Sequence, residues 1–144
     1  MTVKELIAKK GNEVVSISGG STVDDAIKLM NARRISALIV TDKGGRSVGI
    51  FTERDVVRCY VNSGFPFSRI LLKNAMTPDL IVAQPDEELC DVMSVMIQKG
   101  IRHMPVSGEG RLVGMLSIRD VVSSQIGNLH AEIHHLKDYI ISGD

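Results

Sequence analysis

Apolar positions along the chain follow two rhythms that alternate and then start over. A short apolar run at Val14 to Ile17 gives way to Val23, Ala26, Ile27, Met30 and Ile35 at helical spacing. Two more apolar runs, Ala37 to Val40 and Ser47 to Phe51, flank TDKGGRS, a glycine-containing hairpin loop. A second helix follows from Thr52. The succession begins again at Leu80 to Ala83. It continues through Leu89, Val92, Met93 and Met96 to a second hairpin, Met104 to Val106 with Leu112 to Leu116, and a closing helix. Ser21-Thr22 followed by Asp24 and Asp25 marks a helix start, since carboxylates in the first turn complement the helix dipole. The order predicted for each copy is strand, helix, strand, strand, helix.

The rhythm repeats because the residues do. "VGIFTERDVVR" (Val48 to Arg58) returns as "VGMLSIRDVVS" (Val113 to Ser123), placing Gly49 on Gly114, Thr52 on Ser117, Arg54 on Arg119 and Asp55 on Asp120. Further back, Met30 aligns with Met96, Ile35 with Ile101 and Val40 with Val106, one residue out of step with the later matches. The slip falls in the hairpin loop, where a change of length costs least. Copies this small cannot bury both faces of their own elements. The expected fold class is therefore α+β, two pseudo-symmetric strand-helix-strand-strand-helix repeats packed sheet to sheet. The expected domains are 1–63, the first repeat with its entry segment; 64–125, the second repeat; and 126–144, a C-terminal helix extension. Asn62 to Asp79, with Gly64, Pro66 and Pro78, reads as the crossover.

Composition narrows the function classes. The 144 residues carry 17 basic and 17 acidic side chains, so the broad positive field of a nucleic-acid or anionic-membrane binder is missing. No apolar run approaches the roughly 20 residues of a membrane span, and MTVKELIAKKG lacks the apolar core of a signal peptide. A cytoplasmic protein is expected. Cys59 and Cys90 fit neither a metal-ligand spacing nor a disulfide framework and are read as reduced, packing thiols. His130 and His134 share a helix face in HAEIHH but lack a clear third ligand, so a solvated face is expected and no metal. No nucleophile with its base, carboxylate pair or metal cluster stands out, and the protein is expected not to be an enzyme.

The two junctions, Thr52-Glu53-Arg54-Asp55 and Ser117-Ile118-Arg119-Asp120, have a plain structural reading: [ST]-x-x-[DE] ahead of an apolar run is a helix capping box. The arginines argue for more. Arg54 and Arg119 stand in the first turn, where the dipole disfavours a cation by roughly 0.3–1 kcal/mol. A bound anion reverses that penalty.

These residues resemble the tandem cystathionine-β-synthase (CBS) domain pair, or Bateman module, over roughly residues 3 to 125. The marks are the paired G-h-h-[ST]-x-x-D junctions, "NAMTP" (Asn74 to Pro78) and "IRHMPV" (Ile101 to Val106). The first copy departs from the pattern: its entry "VKELIAKKG" has no Met-Thr pair, and Ile39 stands where the second copy has Pro105.

The resemblance implies an adenosine-nucleotide site in the cleft between the repeats. Asp55 and Asp120 then accept the ribose hydroxyls beside Thr52 and Ser117, and Arg54, Arg119 and His103 are candidates for the phosphates. Ile35, Ser36 and Ala37, and their partners Arg102, His103 and Met104, surround the base. One cleft combines Asp120 and Ser117 with Ile35 to Ala37, the other Asp55 and Thr52 with Arg102 to Met104. The implied ligands are AMP, ADP or ATP, then NAD(H) or S-adenosylmethionine, with no cofactor required. The implied role is a regulatory or sensor module acting on an unidentified partner protein; the alternative is a ligand-free scaffold in which both junctions only cap helices. Beyond the second junction, Ile126, Leu129, Ile133, Leu136 and Ile140 form a heptad seam. Together with the resemblance, the seam leads us to expect a homodimer; packing back on its own domain is the other reading.

Overall fold

The computed structural model describes residues 1–142. The elements run α1 (Val3–Lys10), β1 (Ser16–Ser18), α2 (Val23–Arg33), β2 (Ala37–Thr41), β3 (Ser47–Thr52), α3 (Glu53–Ser63), β4 (Thr77–Pro78), α4 (Leu89–Lys99), β5 (His103–Gly108), β6 (Arg111–Ser117) and α5 (Ile118–Ser142). Gly143 and Asp144, the end of the expected extension, lie outside the described residues.

Two compact units result, grouped differently from the expected domains. One is Val14–Ile81; the other joins Met1–Glu13 to the chain from Val82 onward. The entry segment, expected with the first repeat, packs with the second, and the link after residue 63 stays with the first. Backbone pairing explains the exchange. Val3 N–H donates to Glu87 O (2.9 Å), Lys4 N–H to Pro85 O (2.8 Å) and Leu89 N–H to Met1 O (3.0 Å). In the other unit Leu72 N–H donates to Ser21 O (2.8 Å), Lys73 N–H to Gly19 O (3.1 Å) and Val23 N–H to Ile70 O (2.9 Å). Each entry segment thus lies against the start of a repeat's first helix, and Val3 and Leu72 are fully buried there.

In the first unit the sheet order is β1-β2-β3-β4, with β1 parallel to β2 and the other pairs antiparallel. Leu38, Val40 and Phe51 form its core with Val23, Ala26 and Met30 of α2 and Cys59 of α3. Thr22 caps α2 as expected: Asp25 N–H donates to Thr22 Oγ1 (3.1 Å), and Thr22 N–H returns a bond to Asp25 Oδ2 (3.0 Å).

In the second unit β5 and β6 form a hairpin over a core of Val3, Leu6, Leu89, Val92, Met96, Met104, Val106, Leu116 and Val121. The strand expected at Leu80 to Ala83 shrinks to one parallel bridge, Ala83 to Val106. The cause lies in one residue. In the first unit Ile39 N–H ties the opening strand to Val15 O (3.0 Å), whereas the aligned Pro105 has no N–H to give.

The paired glycines of the junction motif mark where the entry segments cross. A Cβ on Gly49 would meet Met76 Sδ at 2.5 Å and the Thr77 carbonyl oxygen at 2.8 Å; on Gly114 it would meet the Ile7 Cδ1 methyl at 2.6 Å. A backbone carbonyl held in a ladder cannot step aside, but a side-chain tip can. Gly49→Ala is expected to destabilise by about 1–3 kcal/mol, and Gly114→Ala by less than about 1 kcal/mol, as read by urea denaturation. Equal costs would contradict this account of the crossing.

Candidate functional site

Both junctions set a short strand against a helix start, and within each unit the strand-entry residues lie beside the junction of the same copy. Ala37 is in register with Thr52, and Glu53 N–H donates to Ser36 O (3.3 Å). Likewise His103 is in register with Ser117, and Ile118 N–H donates to Arg102 O (2.8 Å). Ala37 and Met104 are buried, Ile35, Ser36 and His103 partly so, and Arg54, Arg102 and Arg119 are exposed. The combinations expected from the resemblance each draw one segment from each unit.

The two carboxylates at these junctions differ sharply. Asp55 is 2% exposed. Its Oδ2 accepts from the Thr52 N–H (2.8 Å) and the Thr52 hydroxyl (3.4 Å), and its Oδ1 from the Thr77 hydroxyl (2.8 Å) and the Arg58 guanidinium. Arg58 also donates to Thr77 Oγ1 (2.8 Å). An ionised carboxylate offers about four acceptor positions, and here four donors fill them.

Asp120 keeps one oxygen open. Its Oδ2 accepts from the Ser117 hydroxyl (2.7 Å) and Ser117 N–H (3.4 Å), while Asp120 N–H donates to Ser117 Oγ (3.1 Å), closing a reciprocal capping box. Lys10 Nζ lies 2.6 Å from the same Oδ2 and donates to Met115 O, also at 2.6 Å. Asp120 Oδ1 accepts from no group among the described residues, and the side chain is 32% exposed.

The contrast traces to residues that motif reading passed over. Ser123 aligns with Arg58, so no guanidinium folds back on Asp120. The link supplies Thr77 to Asp55, whereas α1 supplies Lys10 to Asp120. The Arg58 to Ser123 difference is visible at the ends of the two echoed stretches, but the reach of Lys10 depends on the exchange of entry segments.

Partial burial pushes the Asp120 carboxyl up, but Lys10 and Ser117 together outweigh it and hold the group below the ordinary carboxylate range. With a depressed folded value, the stabilisation is complete above the unfolded value of about 3.9 and is lost as pH falls through the folded one. Lys10→Met should raise the Asp120 titration midpoint in a carboxyl NMR titration. An unmoved midpoint would show that Ser117 alone sets it.

Beside Asp120 a cleft of about 500 Å³ opens between α1 and α5, lined by Leu6, Lys9, Ser123, Gly127 and Asn128 among others. The corresponding space in the first unit contains Arg58 and Thr77 and is reduced to about 290 Å³. A further cleft of about 580 Å³ touches Ile35 and Ser36, with Arg34, Glu53 and Val56.

Of the remaining sequence candidates, only Cys59 borders one of these spaces, the smaller cleft beside Arg58 and Thr77. Both cysteines are free thiols. Cys59 is buried, which pushes its thiol up. Cys90, expected to pack, is exposed because Leu89, Val92 and Met96 take the core face of α4. His130, His134 and His135 are exposed on α5, and His134 Nε2 lies 3.3 Å from Asp138 Oδ2. Among the described residues no group of three or more metal donors forms, and no helix is long and apolar enough to cross a membrane.

Comparison with known proteins gives a consistent result. The CBS domain model matches twice, at residues 3–62 and 72–127. A mitochondrial CBS domain-containing protein of Arabidopsis thaliana is 30% identical over 150 residues, covering 99% of this chain and 73% of the relative. The crystal structure of a CBS-domain containing protein from Agrobacterium tumefaciens superposes with a TM-score of 0.83 at 35% identity, covering 86% of this chain and 92% of that one. The hexameric CBS-CP12 protein from bloom-forming cyanobacteria follows with a TM-score of 0.74 at 28% identity, covering 85% and 69%. The chain spans between 21% and 65% of the length of seven further curated relatives, so the pair also occurs within longer proteins.

Proposed function

Because the chain belongs to the CBS-domain family as a tandem pair, we propose that it is a regulatory module that binds an adenosine nucleotide at its second junction. Tandem CBS domains are generally regulatory, ligand-binding modules, and this chain performs no chemistry of its own in this reading. The observation that carries the proposal is the open Oδ1 of Asp120, on a carboxylate whose other oxygen is already fixed by Ser117 and Lys10. A carboxylate so held can take two hydroxyl donors of a ribose without reorganising. Exposed Arg119 in the first turn of α5 and Lys9 beside the cleft provide positive charge for phosphates. The cleft beside Asp120 falls within the roughly 300–1,000 Å³ range of small-ligand sites. With no tryptophan and three phenylalanines in the chain, adenine is held by aliphatic side chains and backbone groups.

The first junction takes the plain structural role. Four donors occupy Asp55, so a ribose diol could reach it only by displacing Arg58 and Thr77. Ligand binding then acts by changing conformation or partner binding. The test is a thermal-shift panel of AMP, ADP, ATP, NAD(H) and S-adenosylmethionine on the purified chain. One or more adenosyl ligands should raise the melting temperature; a flat response to all of them would leave the scaffold reading in its place.

A further inference from the structure

The last element carries an apolar face that its own unit does not use. α5 runs as one helix from Ile118 to Ser142. Its N-terminal part is anchored by buried Val121, and Asp120, Ser124 and Asn128 on the same side line the cleft. On the opposite side Val122, Ile126, Leu129, Ile133, Leu136 and Ile140 follow one another at steps of four, three, four, three and four. The five from Ile126 onward are 43 to 73% exposed, so the stripe is not a core contact.

We propose that this face pairs with α5 of a second copy as a parallel, in-register two-stranded coiled coil, independently of the nucleotide reading. The spacing places Ile126, Ile133 and Ile140 at position a and Val122, Leu129 and Leu136 at position d. Isoleucine at a with leucine at d is the combination that favours two parallel strands. The flanking charges agree with that orientation. Glu132 falls at g and Lys137 at the e position five residues on, so each Glu132 faces Lys137 of the second copy, twice over by symmetry. An antiparallel pair sets g against g and e against e, and Glu132 then never meets Lys137. The short length of the seam is offset because α5 is already nucleated on a folded unit, which removes the usual cost of starting an isolated helix. The parallel arrangement also brings the two Asp120 junctions to the same end of the coil, with the clefts facing away from the seam.

Sedimentation equilibrium of the full chain tests the pairing. Wild type should be dimeric, and Leu129→Glu with Ile133→Glu should weaken the dimer by roughly a thousandfold or more while the fold stays intact, because both positions are solvent-facing in the single chain. Glu132→Lys should weaken it roughly tenfold, and adding Lys137→Glu should restore it to within about threefold. In a Cys90→Ser background, Leu136→Cys should cross-link two copies on oxidation and His134→Cys, on the outer face, should not. A monomeric wild type, a dimer unaffected by the paired Glu substitutions, a charge swap without rescue, or no cross-link through Leu136→Cys would each overturn the proposal.

Discussion

Asp55→Ala is expected to lower the unfolding free energy by about 2–3 kcal/mol, and Asp120→Ala by about 1 kcal/mol. Two carboxylates aligned in the same motif would thus differ at least twofold in their effect on stability. At Asp55 the substitution strips the partly buried Thr52 N–H of its acceptor and leaves Thr77 and Arg58 without theirs. The loss stays below that of a fully buried ion pair because Arg58 is about half exposed and finds water instead. At Asp120 the loss is chiefly that of a helix cap, since the partly exposed Lys10 is readily hydrated. Urea denaturation of the two variants beside wild type reads the difference, and equal losses would contradict the distinction between a filled junction and an open one.

The second large effect is on ligand binding. A nucleotide at a hundred times its dissociation constant stabilises the folded chain by roughly 2.7 kcal/mol. Asp120→Asn keeps the shape of the side chain but replaces one charged acceptor by a donor, removing charge-assisted bonds worth about 1.5–3 kcal/mol each. If affinity falls a hundredfold, the stabilisation at the same concentration drops to roughly 0.4 kcal/mol. On the wild-type protein, a 2′,3′-dideoxy nucleotide should show the same loss, because it lacks the diol the carboxylate holds. Full stabilisation by the dideoxy compound would show that the ribose hydroxyls do not engage Asp120.

Much of the fold was legible because the repeat is written in side chains that bury or cap. Val23, Ala26 and Met30 announced α2, and Leu89, Val92 and Met96 announced α4, through spacing that places them on one buried face. The ownership of the entry segments was not legible. Residues 1–13 and the link are joined to their units by backbone hydrogen bonds, which leave no pattern in side-chain type. The weakened strand at Ala83 was readable in principle, since Pro105 aligned with Ile39 signals a missing donor. For the candidate site, the motif found both carboxylates but could not rank them. Their difference rests on Arg58 against Ser123, which the alignment displays, and on Thr77 and Lys10, which reach the junctions from distant parts of the chain. Broken symmetry between otherwise matching copies was the signal, and it lay just past the matched positions.

The central claim is that the second junction receives the nucleotide while the first only holds its helix. Isothermal titration of the best ligand from the thermal-shift panel into wild type, Asp55→Asn and Asp120→Asn tests it most directly. One ligand should bind per chain in wild type and Asp55→Asn, and binding should be lost or weakened about a hundredfold in Asp120→Asn. Binding that survives in Asp120→Asn and disappears in Asp55→Asn would contradict the account.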